Sequence, residues 1–433
     1  MNSVIKEILT YHDTIAASVT EYGDSSYSIE SFESDHGRWL YLGNDPQNSL
    51  AECRQHFKTW AEEMLIQARN SELIAVIPHD TSSFVTFLEK HAGNPKDFVL
   101  QKCEEKKIVM YGETHFRKAS WDFCTELIHD KRLATHVGVV FMEMASDKQA
   151  DIDRFMANDT LDRELLLNIF RDYIITGWND KGKFDFIISL RDLNRNLPAD
   201  KRIRLIAVDT PRPFSTFHSR EDMEKSDARF DRNEFMANTI LAYLDSCVDK
   251  RNSLFIVGTG HLLRSEKSAG SILSSKLKAG KTYTFFTHTP VIAEGMDVPL
   301  RIRHGMFDYA FFKNGDTPVA FDLLNSPFGD EPFDASFETG SGKFRDNYDG
   351  YIFLGPLDQE PNGELLPDLF SDRYINEINR RFSFYGTTLQ EEWGLKDVTT
   401  KGINEFLLKD HTKGRWENYL PPLKNGKTVL TAN

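Results

Sequence analysis

The sequence is poor in cysteine, short of positive charge, and without any long apolar run. Cys53, Cys103, Cys124 and Cys247 are the only cysteines in 433 residues, and no two of them form a C-x-x-C. That excludes a disulfide framework and reads as reduced, mostly buried thiols. No stretch approaches the ~18 apolar residues of a membrane span. Charged residues interrupt Met1-Asn-Ser-Val-Ile-Lys-Glu-Ile-Leu-Thr-Tyr-His-Asp13, so the apolar segment of a signal peptide is missing and the cytoplasm is the expected compartment. Lys and Arg total 52 against 66 Asp and Glu, a net charge of −14. Nucleic acid and anionic membrane surfaces are therefore not expected partners. There is no G-x-S-x-G elbow, no H-E-x-x-H and no Walker A loop. Gly258-Thr-Gly-His261 lacks the third glycine of a dinucleotide fingerprint. A conventional serine hydrolase, zincin or NAD enzyme is thus not expected.

What is present is a soluble-type composition, 40% hydrophobic and 27% charged, with 32 Phe to fill cores. The length suggests about two or three domains. Residues 1–95 read as a helical accessory region, a lid or a dimerisation element. Its elements would be a helix over 49–70, a strand at 73–78 and a helix starting near His79. From 96 to 360, strands alternate with helices, which predicts an α/β domain with a mainly parallel sheet. The strands fall at 108–111, 137–142, 202–208 and 253–257, with later candidates at 282–287, 319–323 and 351–354. Ser146-Asp-Lys-Gln149 has the form of a capping box. Residues 326–349 read as a long functional loop or cover, and 361–433 as a helical extension.

Four of these strands run into residues able to do chemistry. The first ends in Glu113 and His115, two apart and so on one side of an extended segment. The second ends in Glu143, the third in Asp209, the fourth in His261. Ligands of open parallel sheets bind at the carboxyl ends of the strands, so these ends are expected to meet. Each residue also has a structural reading. His115 could start a helix, Glu113 could favour a helix N-terminus, and Glu143 could form a buried salt bridge. Asp209 could close an Asx turn, and His261 could belong to a turn. Arg264, one turn after His261, suits a carboxylate clamp or a solvated helix face. His129, His136, His218, His288 and His304 read as surface or packing residues.

Tyr111-Gly-Glu-Thr-His115, Val139-Val-Phe-Met-Glu143, Val208-Asp209, Val257-Gly-Thr-Gly-His261 and Tyr348–Pro356 together resemble the erythromycin-esterase and ChaN/Tiki-like superfamily. The resemblance covers roughly 100–356. It implies an α/β domain with a cleft lined by Glu and His. Its members include esterases with a His general base, metal-dependent proteases and haem-binding lipoproteins. Arg264 stands where the esterases often carry a second His. Their arginine in the helix after the first His has no clear counterpart, because Arg117 lies too early.

Three functions follow as expectations. The first is an esterase-like hydrolase or lyase without a cofactor, acting on an ester, lactone, modified peptide or secondary metabolite. His115 is its base, Glu113 and Glu143 orient that base, and His261 serves the oxyanion or leaving group. Asp209, Arg264, Arg212 and Tyr111 contact the substrate. The second uses Glu113, His115, Glu143 and His261 as ligands for a divalent metal such as Mn or Zn. The third binds haem or another small ligand, with Tyr111 and His115 as axial ligands. A small-molecule or peptide substrate is expected in the first two, with a homodimer as the expected assembly.

Overall fold

A computed structural model describes residues 4–11, 15–21, 27–35, 38–47, 49, 51–56, 81–290, 301–334, 342–413, 423–424 and 427–428, apart from Ser265 and Asn362. The chain divides into two compact units, 1–80 with 421–433, and 81–420.

The smaller unit holds a four-stranded antiparallel meander. Its strands are β1 (Val4–Tyr11), β2 (Ile15–Glu21), β3 (Tyr27–Asp35) and β4 (Arg38–Gln47). The expected helical accessory region is therefore corrected to a sheet. The reason is legible in β3 and β4: Tyr27 and Ile29 alternate with Ser28 and Glu30, a period of two, and Trp39-Leu-Tyr-Leu42 is a short apolar run with two aromatics, ended by Gly43. Of the expected helix over 49–70, residues 51–56 are helical. Residues 57–80, including the expected strand at 73–78, lie outside the described residues.

The larger unit is an α/β domain around a seven-stranded sheet. Its strands are β5 (Ile108–Glu113), β6 (Val137–Ala145), β7 (Arg204–Asp209), β8 (Asn252–Gly258), β9 (Thr282–Thr287), β10 (Val319–Asp322) and β11 (Gly350–Phe353). They lie in the order β10-β11-β9-β5-β8-β6-β7. All neighbours are parallel except β10, which pairs antiparallel with β11 at one edge. The strands are continuous apolar runs because both faces are covered. Val109, Tyr111, Leu254 and Ile256 join the core on one face, and Ile108, Met110, Phe255 and Val257 the core on the other.

The first core is completed by the C-terminal segment, through Leu366, Leu369, Phe370, Ile378 and Ile403. The second takes Phe84 and Leu88 from the helix Ser82–His91 and a group of phenylalanines between 307 and 353. This packing moves the compact boundary to Asp80/Thr81 instead of 95 and draws the tail up to 420 into the same unit. The segment 326–349 contains two short helices, Pro327–Asp330 and Phe344–Asn347; residues 335–341 lie outside the described residues. Ser146–Lys148 form a 3-10 turn without a side-chain cap, so the expected capping box is absent. Among the described residues no helix is long and apolar enough to cross a membrane.

Candidate active site

Because β5, β6, β7 and β8 are parallel neighbours, their carboxyl ends bring Glu113, Glu143, Asp209 and Gly258 to one edge of the sheet. Glu113 is the last residue of β5 and is buried. His115 lies just beyond, with Nδ1 2.6 Å from Glu113 Oε1. The expected pairing of these residues is therefore observed. A buried carboxylate only accepts, so Nδ1 carries the proton and Nε2 is left with its lone pair.

Glu143 reaches the same place from β6. The β6–β7 register carries one extra residue on β6 between Met142 and Ala145, a bulge of the kind that re-aims a side chain beside a site. At this bulge the Glu143 carbonyl accepts from Tyr173 Oη at 2.6 Å and from Lys183 Nζ at 2.7 Å. Its carboxylate accepts from Gly258 N–H at 2.7 Å through Oε2 and from Arg232 Nη2 at 2.5 Å through Oε1. Gly258 lets the backbone pass close to the His115 and Glu143 side chains. A Cβ at this position would lie 3.0 Å from His115 Cε1 and 3.3 Å from both His115 Nε2 and Glu143 Oε2. Gly112 serves similarly, since a Cβ there would lie 2.7 Å from Thr259 Oγ1.

Arg232 and Asn233 open the helix Arg232–Ser246, whose N-cap Asp231 accepts from Glu234 N–H. Arg232 holds Asp209 through Nε at 2.8 Å and Nη2 at 2.6 Å while also bonding Glu143. Asn233 Oδ1 is 2.7 Å from His261 Nδ1. His261 stands in the 3-10 turn Thr259–Leu262 that follows β8. Its Nε2 lies 3.6 Å from Glu143 Oε1. With Nδ1–H donated to Asn233, Nε2 is the atom that faces the site.

The electrostatics follow from this arrangement. Burial works against charge on His115, but Glu113 and then Glu143 outweigh it and raise the imidazole pKa above its ordinary value. Burial likewise opposes ionisation of Glu143. His261, His115 and Arg232 overcome it and hold the carboxyl well below the usual range. Lys183 is sealed among the rings of Tyr173 and Trp178, 4.7 and 5.3 Å from their centroids. Burial lowers its pKa against the pull of Glu143 and Glu113. Asp180 caps the helix Lys181–Asn196 and accepts from Trp121 Nε1 at 3.0 Å. Burial, with Glu113 second, pushes its carboxyl up to about 6.

The aromatic wall is Trp178. Its ring stands edge-on to His115 at 4.7 Å and stacks on Phe116 at 5.0 Å. Phe116 takes a positive φ of 62°, an uncommon conformation outside glycine that tends to sit at functional sites. Glu113 Oε2, Thr114 Oγ1, Trp178 Nε1 and Asn179 Nδ2 are buried without a protein partner. Such groups are satisfied by water or an incoming ligand.

Of the expected residues, Glu113, His115, Glu143, Asp209 and His261 are brought together. Asp209 lies behind Arg232, whose guanidinium it holds. Arg264 is not part of the group: it pairs with Asp349 and donates to Thr284 Oγ1 at 2.9 Å. Tyr111 is sealed beneath the sheet edge, its hydroxyl 3.0 Å from Ser120 Oγ. The Arg212 backbone N–H donates to Asp147 Oδ1 at 2.6 Å. Arg232, Asn233, Lys183 and Trp178 are additions that strand-end reading misses. Arg232 and Asn233 had a signal in Asp231-Arg-Asn-Glu234, a helix start placed between the third and fourth strands.

No family model and no curated protein sequence matches the chain. Several solved structures do resemble it. A succinoglycan biosynthesis protein is 10% identical over 64% of this chain and 97% of its own, with a TM-score of 0.47. A mutant of the erythromycin esterase EreC, in its open conformation, is 10% identical over 59% and 92%, with a TM-score of 0.43. ChaN of Campylobacter jejuni, solved with cofacially bound haem, is 13% identical over 45% and 87%, with a TM-score of 0.29. An erythromycin esterase and ChaN, the names to which the motifs pointed, are thus both among the structures similar to this chain.

Proposed function

We propose that the protein is an esterase-like hydrolase in which His115 is the general base and His261 the proton donor. The observation that carries this reading is the pairing of Glu113 with His115 Nδ1 at 2.6 Å, which leaves His115 Nε2 on the side of Glu143 and Gly258. Nε2 takes a proton from water as the water oxygen bonds to the ester carbonyl carbon. Glu113 stabilises the imidazolium that results. His261 Nε2, 3.6 Å from Glu143 Oε1, passes a proton to the departing alkoxide as the acyl C–O bond breaks. Asn233 fixes the His261 ring, and Arg232 fixes Glu143 and Asp209. A lyase using the same base would remove a carbon-bound proton instead of one from water.

A second reading rests on a different observation. Glu113, His115 and Glu143 each offer a ligand atom within 4.8 Å of the others, a mixed N/O set able to hold a divalent ion such as Mn or Zn. When bound, such an ion would supply a water of lowered pKa. Against it, both Glu143 oxygens already accept strong donors, and one of those donors is a guanidinium. The test is turnover of a panel of p-nitrophenyl esters by protein treated with EDTA. Sustained turnover is the outcome expected for the proton-transfer reading. Loss on EDTA treatment and recovery with Mn²⁺ or Zn²⁺ alone overturns it in favour of the metal. Turnover of none of the panel with or without metal overturns both as esterase readings.

A further inference from the structure

A hollow lies on the far side of the segment that flanks His115 and Glu143. Its volume is about 450 Å³, inside the range of small-molecule sites. Ile174, Ile175, Phe214, Phe217, Met223, Phe382 and Tyr385 line it, with Arg212 and Glu392 as its charged members. That segment is Tyr173–Trp178. Tyr173 at its start donates to the Glu143 carbonyl, and Trp178 at its end stands against His115. Ile174 and Ile175, between them, turn to the hollow. Arg212, also in the lining, is three residues beyond Asp209.

The helix Asp372–Ser383, in the C-terminal segment, holds these walls in place. Arg380 donates to the carbonyls of Phe217 at 2.7 Å and Phe214 at 2.8 Å. Arg381 is buried, donates to the Arg171 carbonyl at 2.8 Å, and bonds Asp172 at 2.5 Å. The hollow is therefore a built feature of the tail and not a gap between loose loops. Ile174 and Tyr385 nevertheless remain exposed, at 39% and 42%. Large apolar side chains left open around a fixed hollow mark a binding surface.

We propose that this hollow binds the uncharged apolar part of the substrate, an acyl chain or hydrocarbon ring, while the ester bond lies at His115. The proposal rests on the hydrolase reading for the position of the ester. It rests on the hollow itself for the apolar ligand. Seven of the nine lining residues are aliphatic or aromatic, and the two charged ones, Arg212 and Glu392, are of opposite sign, so burial of uncharged apolar surface is what these walls favour.

The full-length protein is titrated with N-phenyl-1-naphthylamine, an uncharged fluorescent probe. Saturable one-to-one binding is expected. Ile174→Glu and Tyr385→Glu, both at exposed side chains, should each weaken it at least tenfold. Val248→Glu, at an exposed position elsewhere, should leave it unchanged. His115→Ala should also leave it unchanged, which separates this site from the catalytic reading. Absence of saturable binding, or binding indifferent to both glutamates, overturns the proposal. In the kinetic arm, KM for p-nitrophenyl esters should fall from acetate to octanoate in the wild type, and this trend should vanish in Ile174→Glu. A trend that survives in Ile174→Glu counts against the hollow. If no ester is turned over, the hydrolase reading fails and probe binding alone decides the hollow.

Discussion

Two clusters of histidine, carboxylate and arginine lie along the carboxyl edge of one sheet, and access separates them more than composition. At the β5–β8–β6–β7 end, the His115 and His261 side chains are 38% and 21% exposed. At the β9–β11 end, His288 is sealed at 1%. Its Nδ1 is 2.6 Å from Tyr351 Oη and its Nε2 is 3.4 Å from Asp308 Oδ1. Arg301 pairs with Asp308 and reaches Asp358 at 3.3 Å. Arg117 joins the two ends, donating to the His288 carbonyl from the loop after β5 while it pairs with Glu360. The same residue types thus build an open centre on one side and a closed strut on the other. A strand-end histidine becomes a candidate base only where its second nitrogen has somewhere to send or receive a proton.

The largest effect that tests this contrast is on stability. Burial pushes the Asp308 carboxyl up, but His288 and Arg301 hold it down at about 2. Removing one partner of such a buried pair costs about 3–5 kcal/mol. Asp308→Ala should therefore lose that much in urea unfolding, with turnover per folded molecule kept within a few-fold. A loss below about 1 kcal/mol would break the contrast, since a closed cluster that does not stabilise has no structural role. Arg232→Met should cost less, about 1–3 kcal/mol, because its guanidinium is 37% exposed. Unlike Asp308→Ala it should also lower turnover, by freeing Glu143.

Smaller effects concern pH. The folded His115 pKa is raised, so its charged form stabilises the protein below the ordinary histidine value of about 6.5. That contribution is lost as pH rises through the raised pKa. Stability measured by urea unfolding should decline over that window in the wild type, and His115→Gln should lack that part of the decline. A neutral base is needed for turnover, so the acid limb of kcat/KM should sit above the ordinary value and move to lower pH in Glu113→Gln. A limb that stays in place would mean that Glu113 does not set the basicity of His115. The smallest change is expected for Asn233→Ala, about tenfold in kcat, the usual scale for a partner that orients a functional histidine.

Much of this was legible in the sequence. The parallel strands announced themselves as apolar runs, and the polar residues that ended them fell at one edge. What was not legible depended on partners far along the chain. Arg264 has the same helix-adjacent position whether it clamps a ligand or pairs with Asp349, and only the register of β9 and β11 decides that. Tyr111 lies two residues before Glu113 and so on its face, yet one step deeper it is inside the core. His288 was read as a surface or packing residue, because its tyrosine and aspartate come from 63 and 20 residues downstream. The N-terminal meander was missed for a local reason: its strands are rich in Ser and Glu, which dilutes the period-two signal that still marks Tyr27–Glu30.

The central claim is that the open cluster transfers protons through His115. Its most direct test is kcat for p-nitrophenyl butyrate hydrolysis by His115→Ala in chelator-treated buffer, beside the wild type. A fall of at least ~100-fold per folded molecule is expected, the scale of losing a general base. Wild-type turnover by the alanine variant would contradict it.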